Sequence, residues 1–418
     1  MEIRDERLRR DIEANAEFGA VAVEEGRGRT LLTGSDADRR AREYLVGRLE
    51  DAGLDVRVDP VGTIVGRWTP ESADPTAAPV AAGSHLDSVP EGGIFDGPLG
   101  VYAALEAVRA MQDAEVPVDR PVEVVSFTEE EGQRFGGGLL GSAVASGEMT
   151  VEEVLALEDD GETLESALER IGFRGTDVVD AREWDAWLEL HVEQSERLED
   201  VSVPAGVVTT ITGITRCAVE IAGEANHAGS TAMADRTDAL AAASEFVLDV
   251  ERAATDCVES HSPTAVGTVG KSDVQPNAPN VVPGAVSLSV DVRDVAYESM
   301  DRIVEAARAS LDRLERERGV DASLERPWDL APTPMSDRCR AALHEAGADA
   351  GLETLDLHSG AAHDTMHVAR VTDAGLLFVP SRDGISHNPL EWTDWDDCAA
   401  ATRVLAGALA RLAGHDDR

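Results

Sequence analysis

Histidine and carboxylate residues follow several apolar segments of this sequence, and both residue types bind divalent metal ions. Each residue taken alone is more typical of a hydrogen-bonded loop or of a solvated acidic edge. Their recurrence after apolar segments and in glycine-rich loops favours one shared site, because the chain has only 10 histidines. The residues are His85 and Asp87 in SHLDS, Asp96 in GGIFDGPLG, Glu129, Glu130 and Glu131 in FTEEEG, His191 in LELHVEQ, and His387 in GISHNPLE.

Imidazole and carboxylate ligands together suit a site for two divalent ions in which one carboxylate binds both ions. The ions of such a pair lie about 3.5–4 Å apart and lower the pKa of a water between them. A neighbouring carboxylate that binds no metal can then take the proton from that water. The pattern therefore predicts metal-assisted hydrolysis, and a chance match of short motifs is the alternative.

The elements that must position these residues alternate between strands and helices. The segments VAAGSHLDS, PVEVVSFTEEEG and WLELHVEQ are predicted strands that each end in histidine or acidic residues, and VYAALEAVRAMQ is a predicted helix. Strands that alternate with helices indicate an α/β fold with a mostly parallel central sheet. In such sheets functional groups gather at the carboxyl ends of the strands.

The pattern changes near residue 208. An alternating segment, TRCAVEIAG, precedes a long amphipathic helix, two further strand segments and a second long helix, SMDRIVEAARASLDRLERER. This order predicts a small α+β domain over residues 208–325. It would be inserted into a first domain that consists of residues 1–207 and 326–418.

The overall charge excludes several partners. The chain has 81 acidic and 37 basic residues, for a formal net charge of −44. A surface this negative repels nucleic acid and anionic lipid, and no apolar run approaches the roughly 20 residues of a membrane span. The first residues lack the apolar core of a secretion signal, and the four cysteines form no CxxC pair. We therefore expect a cytoplasmic, halophilic protein with a solvated acidic coat and no nucleic-acid or membrane partner.

Motifs along nearly the whole chain resemble the amidase/carbamoylase branch of the M20 metallopeptidase-like hydrolases. That branch includes N-carbamoyl-L-amino-acid hydrolases, allantoate amidohydrolases and β-ureidopropionases. The resemblance implies a homodimer whose subunits each have a di-metal catalytic domain and an inserted lid and dimerisation domain. The matching segments are SHLDSVPEGGIFDGPLGV, FTEEEGQRF, LELHVEQ, GEANHAGSTAM, PNVVPG with VDVRD, SGAAHD and GISHNPLE.

The resemblance also implies roles for single residues. Glu130 is implied to be the general base, and Asp87 is implied to orient His85. His227 in ANHAGS is implied to stabilise the oxyanion, and the equivalent histidine of the family serves the partner subunit's site. Whether His227, Asn280 and Arg293 act in their own subunit's site or in the partner's is left open by the resemblance. The implied ligands of two divalent ions (Zn, Mn, Co or Ni), with Asp96 binding both, are His85, Asp96, Glu131, His191 and His387. The implied substrate contacts are Gln194, His227, Asn280, Arg293 and the backbone around Gly360, beside His363 and Asp364.

The sequence departs from the family pattern at Ser195, at Ser230 and Ala232, and after Gly62, where the usual Asn is missing. None of these changes removes an implied ligand or the implied base. The predicted function is hydrolysis of a linear C–N bond in a small anionic N-carbamoyl or ureido acid held by Arg293. The alternatives are an aminoacylase or dipeptidase of the same family and a non-catalytic binding protein with the same fold.

The acidic coat leads to a prediction about salt. We expect the free energy of unfolding to be largest in molar salt and to fall on dilution, because like charges are screened less as ionic strength drops. Thermal unfolding across a salt series from about 0.1 M upward measures this, since the Debye length is about 10 Å at 0.1 M. Undiminished stability in dilute buffer would contradict the halophilic interpretation.

Overall fold

A computed structural model describes residues 1–414, so the last four residues of the expected first domain lie outside the described residues. The chain divides into two compact units. The first comprises Met1–Thr209 and Pro334–Arg418, and the second comprises Thr210–Thr333. Sequence reasoning put the insertion at 208–325, so the second unit extends further toward the C-terminus than expected.

The described strands are β1 Ala20–Val21, β2 Gly28–Arg29, β3 Asp55–Val58, β4 Ile64–Trp68, β5 Val80–His85, β6 Val122–Phe127, β7 Glu158–Asp159, β8 Glu162–Thr163, β9 Ala186–Val192, β10 Ala205–Ile211, β11 Gly213–Ala222, β12 Asn226–His227, β13 Val266–Gln275, β14 Val281–Val282, β15 Ala285–Asp294, β16 Asp321–Leu330, β17 Thr333–Pro334, β18 Thr354–Ser359 and β19 Ala374–Val379. The described α-helices are α1 Asp5–Ala16, α2 Asp36–Asp51, α3 Pro98–Asp113, α4 Leu140–Ser146, α5 Val151–Leu155, α6 Leu164–Ile171, α7 Arg197–Val201, α8 Ala239–Ser260, α9 Tyr297–Arg318, α10 Asp337–Asp349, α11 Thr365–Val368 and α12 Trp395–Leu412.

A nine-stranded sheet forms the centre of the first unit, in the order β17-β10-β19-β9-β5-β6-β4-β3 with β18 paired to β10. Its four central strands, β19, β9, β5 and β6, run parallel. Strands β5, β6, β9 and β19 are buried along their whole length, which explains their continuous apolar sequences. The predicted α/β class with a mostly parallel central sheet is confirmed.

Helix α3 packs directly on this sheet and begins at Pro98, two residues after Asp96. It is buried along nearly its whole length. A side chain at Gly100 would collide with the carbonyl oxygen of Leu190 in β9, so glycine permits the close approach of helix and sheet. At the start of the helix, a Cβ atom on Gly97 would lie 2.5 Å from His85 Cε1. The helix therefore holds the Asp96 loop against the end of β5.

The second unit has a four-stranded antiparallel sheet in the order β13-β15-β11-β16. Alternate residues of β11 and β15 are buried, and they share a core with α8 and α9. Sequence reasoning missed β16, which follows α9. Pro327 lies where the pairing register shifts, on an edge strand, and these are the positions at which a sheet tolerates proline.

Across residues 1–414, none of the helices combines the length and apolar character that crossing a bilayer requires. The cysteines Cys217, Cys257, Cys339 and Cys398 are free and buried.

Candidate metal centre

The predicted ligands lie at one edge of the central sheet, because its four middle strands are parallel and end together. Strand β5 ends at His85, and His191 is the penultimate residue of β9. The three glutamates follow β6, and His387 lies in the loop after β19. Residues far apart in the sequence are therefore neighbours at this edge.

Asp96 lies at the centre of the cluster, and its two oxygens face different histidines. Its Oδ1 is 3.1 Å from His191 Nε2 and 3.6 Å from His85 Nε2. Its Oδ2 is 3.4 Å from His387 Nε2. The Nε2 atom of His387 is also 3.5 Å from Glu131 Oε2. One carboxylate thus adjoins two separate groups of ligand atoms, as a bridging ligand must.

The donor atoms form three overlapping groups that fit divalent ions, each with ligand atoms within 4.8 Å of one another. One contains His85, Asp96 and His191, another contains Asp96, Glu131 and His387, and the third contains His85, Glu130 and Glu131. Among the described residues, His85 Nε2 and Glu131 Oε1 are buried without a hydrogen-bond partner. Buried polar atoms are rarely left unpaired. An imidazole nitrogen and a carboxylate oxygen are atoms that bind divalent cations, so these two atoms fit a metal site.

Asp87 connects His85 to the glutamate loop. Its carboxylate accepts hydrogen bonds from the backbone N–H groups of Glu130, at 3.3 Å, and Glu131, at 3.0 Å. His85 Nδ1 lies 3.1 Å from the Asp87 carbonyl oxygen and 3.5 Å from its Oδ1. A proton on Nδ1 leaves the Nε2 lone pair facing the cluster, which is the arrangement a metal-binding imidazole needs.

Glu130 faces His85, whereas its neighbour Glu131 faces His387. Glu130 Oε2 lies 3.8 Å from His85 Nε2. Burial raises the pKa of Glu130 well above its usual value, and the neighbouring Glu131 and Asp364 raise it further. Nearby divalent cations would lower that pKa again. An ionised Glu130, as the sequence led us to expect, therefore depends on the cations.

Several residues of the site have unusual backbone conformations. Glu129, Gln194 and His387 have φ values of 56°, 60° and 54°, in the left-handed region that non-glycine residues seldom occupy. Gln194, an implied substrate contact, donates from Nε2 to Asp96 Oδ2 at 3.3 Å. Such strained positions concentrate at functional sites, where surrounding contacts hold them.

The SGAAHD loop lies beside His191. Gly360 follows β18, and the ring of His363 is 4.6 Å from that of His191, edge to face. Asp364 is fully buried, and burial raises its pKa to about 8. This loop therefore adjoins the ligand cluster within the first unit.

His227, Asn280 and Arg293 belong to the second unit. Strand β12, which contains His227, pairs with β14, and the N–H of Ala228 donates to the Asn280 carbonyl oxygen at 2.9 Å. His227 is exposed, and its Nδ1 accepts hydrogen bonds from the N–H groups of Gly229, at 3.0 Å, and Ser230, at 3.1 Å. Because Nδ1 is an acceptor, the proton of neutral His227 is on Nε2.

Arg293 lies in β15 of the four-stranded sheet, whereas β12 and β14 form a separate two-stranded sheet. Arg293 is opposite Ile214 in β11 and Val266 in β13. Its Nε donates to Asp291 Oδ1 at 2.8 Å. Arg293 therefore forms an ion pair with Asp291 of its own strand.

Sequence reasoning missed two residues of the cluster, Arg29 and Glu391. Arg29 is fully buried, and its guanidinium group donates to the carbonyl oxygen of Asp96 at 3.2 Å. Glu391 accepts hydrogen bonds from the N–H groups of Phe95 and Asp96, both at 3.0 Å. Glu391 could have been noticed because it ends the GISHNPLE motif, whereas the GRGRT segment around Arg29 carries no signal.

The electrostatics of the cluster lead to a prediction about metal binding. A hydrogen bond to Asp96 raises the pKa of His387 to about 9, and burial raises the pKa of Glu131 to about 7. At neutral pH His387 therefore carries a proton and Glu131 carries one in part of the molecules, and a metal must displace these protons. We expect the affinity for Mn²⁺ to rise between pH about 7 and about 9.

Titration calorimetry in two buffers with different enthalpies of protonation measures the number of protons released. Repeating the titration above the pKa of His387 is the internal control, because fewer protons remain to be displaced there. Metal binding with neither proton release nor pH dependence would contradict the prediction.

Comparisons with known proteins agree with the motifs. Residues 81–411 match the model of peptidase family M20/M25/M40. An N-carbamoyl-L-amino acid amidohydrolase of Geobacillus stearothermophilus is 37% identical over 401 residues, which are 95% of this chain and 96% of the relative. An allantoate amidohydrolase of Bacillus subtilis is 33% identical over 406 residues, 96% of each chain.

A solved structure supports the same relationship over the whole fold. The amidase of the hydantoinase/carbamoylase family from Burkholderia multivorans superposes with a TM-score of 0.91 at 36% identity, covering 99% of this chain and 98% of that one. The chain therefore belongs to peptidase family M20/M25/M40, a family of hydrolases, and to its amidase/carbamoylase branch, as the motifs predicted.

Proposed function

We propose that this protein is a metal-dependent amidohydrolase that cleaves a linear C–N bond in an N-carbamoyl amino acid or a related ureido acid, such as allantoate or β-ureidopropionate. The observation that carries the proposal is the position of Asp96, with one oxygen facing His85 and His191 and the other facing His387. The names of the relatives support the substrate class.

Two divalent ions would be held by His85, Asp96, Glu131, His191 and His387. When bound, they lower the pKa of a water molecule and polarise the carbonyl group of the substrate. Imidazole and carboxylate ligands accept Zn, Mn, Co or Ni, and availability in the cell contributes to the choice.

Glu130 acts as the general base and then as the general acid. Its side chain is only 12% exposed, and its Oε2 is 3.8 Å from His85 Nε2. It takes a proton from the attacking water and delivers it to the leaving nitrogen, which must be protonated to depart. Asp87 holds Glu130 in place through the backbone N–H of that residue, at 3.3 Å.

His227 supplies a hydrogen-bond donor for the oxyanion that forms on the carbonyl oxygen. Its Nδ1 is occupied by two backbone N–H groups, so its Nε2–H is available for that role. Asn280 adjoins the same loop, through the hydrogen bond of 2.9 Å between its carbonyl oxygen and Ala228. Arg293 binds the carboxylate of the substrate, for which its planar donor pair is suited.

The second unit cannot place His227 and Arg293 on the same small substrate. Strand β15 pairs with β11 from Ala285 to Asp294, with Arg293 near one end and the His227 loop beyond the other. Eight residue steps of about 3.3 Å separate Ala285 from Arg293, which is roughly 26 Å. If both residues serve one site, they come from different subunits, which supports a homodimer.

A hydrolysis panel tests the proposed function. We expect ammonia release from N-carbamoyl-L-amino acids or from a ureido acid, with added Mn²⁺ or Zn²⁺ at high salt, and loss of activity on chelation. Glu130→Gln should lower kcat by about 10²–10⁴-fold, because it removes the general base. Glu129→Gln is the matched control, because Glu129 is the preceding residue and its carboxylate accepts backbone hydrogen bonds from Arg134 and Phe135, away from the proposed ligands.

Three outcomes count against the proposal. Cleavage of N-acyl amino acids or dipeptides alone would make the protein an aminoacylase or a dipeptidase. Tight binding without turnover would make it a binding protein. Turnover that survives both chelation and Glu130→Gln would contradict the mechanism.

Isolated mixed dimers test which subunit supplies each residue. Glu130→Gln subunits, carrying one affinity tag, are co-expressed with either His227→Ala or Arg293→Ala subunits that carry another tag. We expect one of the two mixed dimers to regain about half of the parental activity, because it contains one intact site, while the other stays inactive. Recovery in both mixtures or in neither would contradict the arrangement, as would a monomer in solution.

A further inference from the structure

Arg29 connects the segment that follows His85 at the end of β5 to the loop that contains Asp96. Its Nε donates to the Gly93 carbonyl oxygen at 3.0 Å and its Nη1 to that of Leu86 at 3.0 Å. Its Nη2 donates to the carbonyl oxygens of Asp87, at 3.4 Å, and Asp96, at 3.2 Å. One fully buried side chain thus binds the backbone on both sides of the ligand cluster.

Glu391 binds the same loop through the opposite kind of backbone group. Its Oε1 accepts hydrogen bonds from the N–H groups of Phe95 and Asp96, both at 3.0 Å. Its Oε2 accepts from Ser386 Oγ at 3.0 Å, and that hydroxyl also lies 2.9 Å from Asp96 Oδ2. A side chain at Gly93 would collide with the Glu391 carboxylate, so glycine is required for this contact.

The positive charge of Arg29 is balanced by backbone carbonyl oxygens and by carboxylates at longer range. Among residues 1–414, all of its side-chain hydrogen bonds go to main-chain carbonyl oxygens. A buried cation without a paired anion is costly. The acidic groups that surround Arg29 at longer range are Asp96, Glu391, Asp87 and Glu131, of which two are implied metal ligands. Arg29 therefore shares its compensating charges with the metal centre.

We propose that Arg29 and Glu391 are positioning residues that hold the backbone of residues 93–96 and thereby aim the two oxygens of Asp96 at separate metal ions. Asp96 can bridge only if its carboxylate keeps one oxygen toward His85 and His191 and the other toward His387. The backbone at Asp96 is held from both sides, by its carbonyl oxygen and by its N–H. This inference rests on the two-metal site of the proposed function.

A purely structural role for Arg29 makes a different prediction. A structural arginine, when shortened, lowers stability and leaves the metal site of the folded protein unchanged. A positioning residue changes the affinity for metal and the relation between the two ions. Arg109 is a matched control because it is also a buried arginine of the first unit, bonded to Asp11 at 2.6 Å and to the Arg48 carbonyl oxygen at 3.4 Å.

The experiment compares the parental protein with Arg29→Lys and Arg109→Lys, using Mn²⁺ as the probe. Competition with a chelator gives the affinity, and electron paramagnetic resonance reports whether two bound Mn²⁺ ions are magnetically coupled through shared ligands. We expect Arg29→Lys to bind Mn²⁺ about 10–100-fold more weakly, as is typical when a residue supporting a ligand is lost. We also expect it to lose the coupled signal at equal occupancy.

Arg109→Lys should lower stability and keep both the parental affinity and the coupled signal. Parental affinity and coupling in Arg29→Lys would overturn the inference. If Arg29→Lys does not fold, Glu391→Ala, which removes the oxygen that accepts from Phe95 and Asp96, replaces it and is judged by the same two measurements. A parental protein that binds Mn²⁺ pairs but hydrolyses no substrate would refute the proposed function and leave this inference intact.

Discussion

The structure depends on burying several carboxylates side by side at one edge of a sheet. Asp87 and Asp96 are buried there, and Glu130 and Glu131 are nearly so. Histidine nitrogen atoms lie within 4.8 Å of the oxygens of Asp96, Glu130 and Glu131. Like charges repel strongly where water is excluded. Burial and the neighbouring acidic groups raise the pKa values of Glu130 and Glu131. Backbone N–H groups donate to Asp87, and the buried guanidinium group of Arg29 adds a positive charge. Divalent ions would supply the remaining positive charge.

The requirement for close packing extends from these carboxylates into the fold. Parallel strands β5, β6, β9 and β19 bring the ligands to one edge, and α3 presses the Asp96 loop against β5. Glycines at positions 93, 97 and 100 have no room for a side chain, because Glu391, His85 and Leu190 occupy that space. The left-handed backbones of Glu129, Gln194 and His387 belong to the same packing. Positioning the candidate ligands thus also constrains residues of the surrounding strands, loops and helix α3 that are not candidate ligands themselves.

The acidic side chains that give the net charge of −44 act differently at the sheet edge and at the surface. Most acidic side chains are spread over the chain, and their excess over the basic side chains gives a self-repulsion that salt screens. In the proposed function, the few at the sheet edge carry the chemistry. An anionic substrate would approach against an unfavourable global field, so its binding depends on local positive groups. In the proposed function these are the metal ions and Arg293, which must act over short distances.

The sequence by itself was sufficient for the α/β class, the motifs, the family and the residues that meet at the sheet edge, because residue type and strand pattern are local properties. It did not reveal strand β16, whose proline is tolerated only because the strand lies at a sheet edge where the register shifts. Nor did it reveal Arg29 and Glu391, which bind backbone groups that every residue possesses. The separation of His227 from Arg293 also required the pairing register. Tertiary structure decided these features, because contacts between distant backbone groups leave no pattern of residue types along a chain.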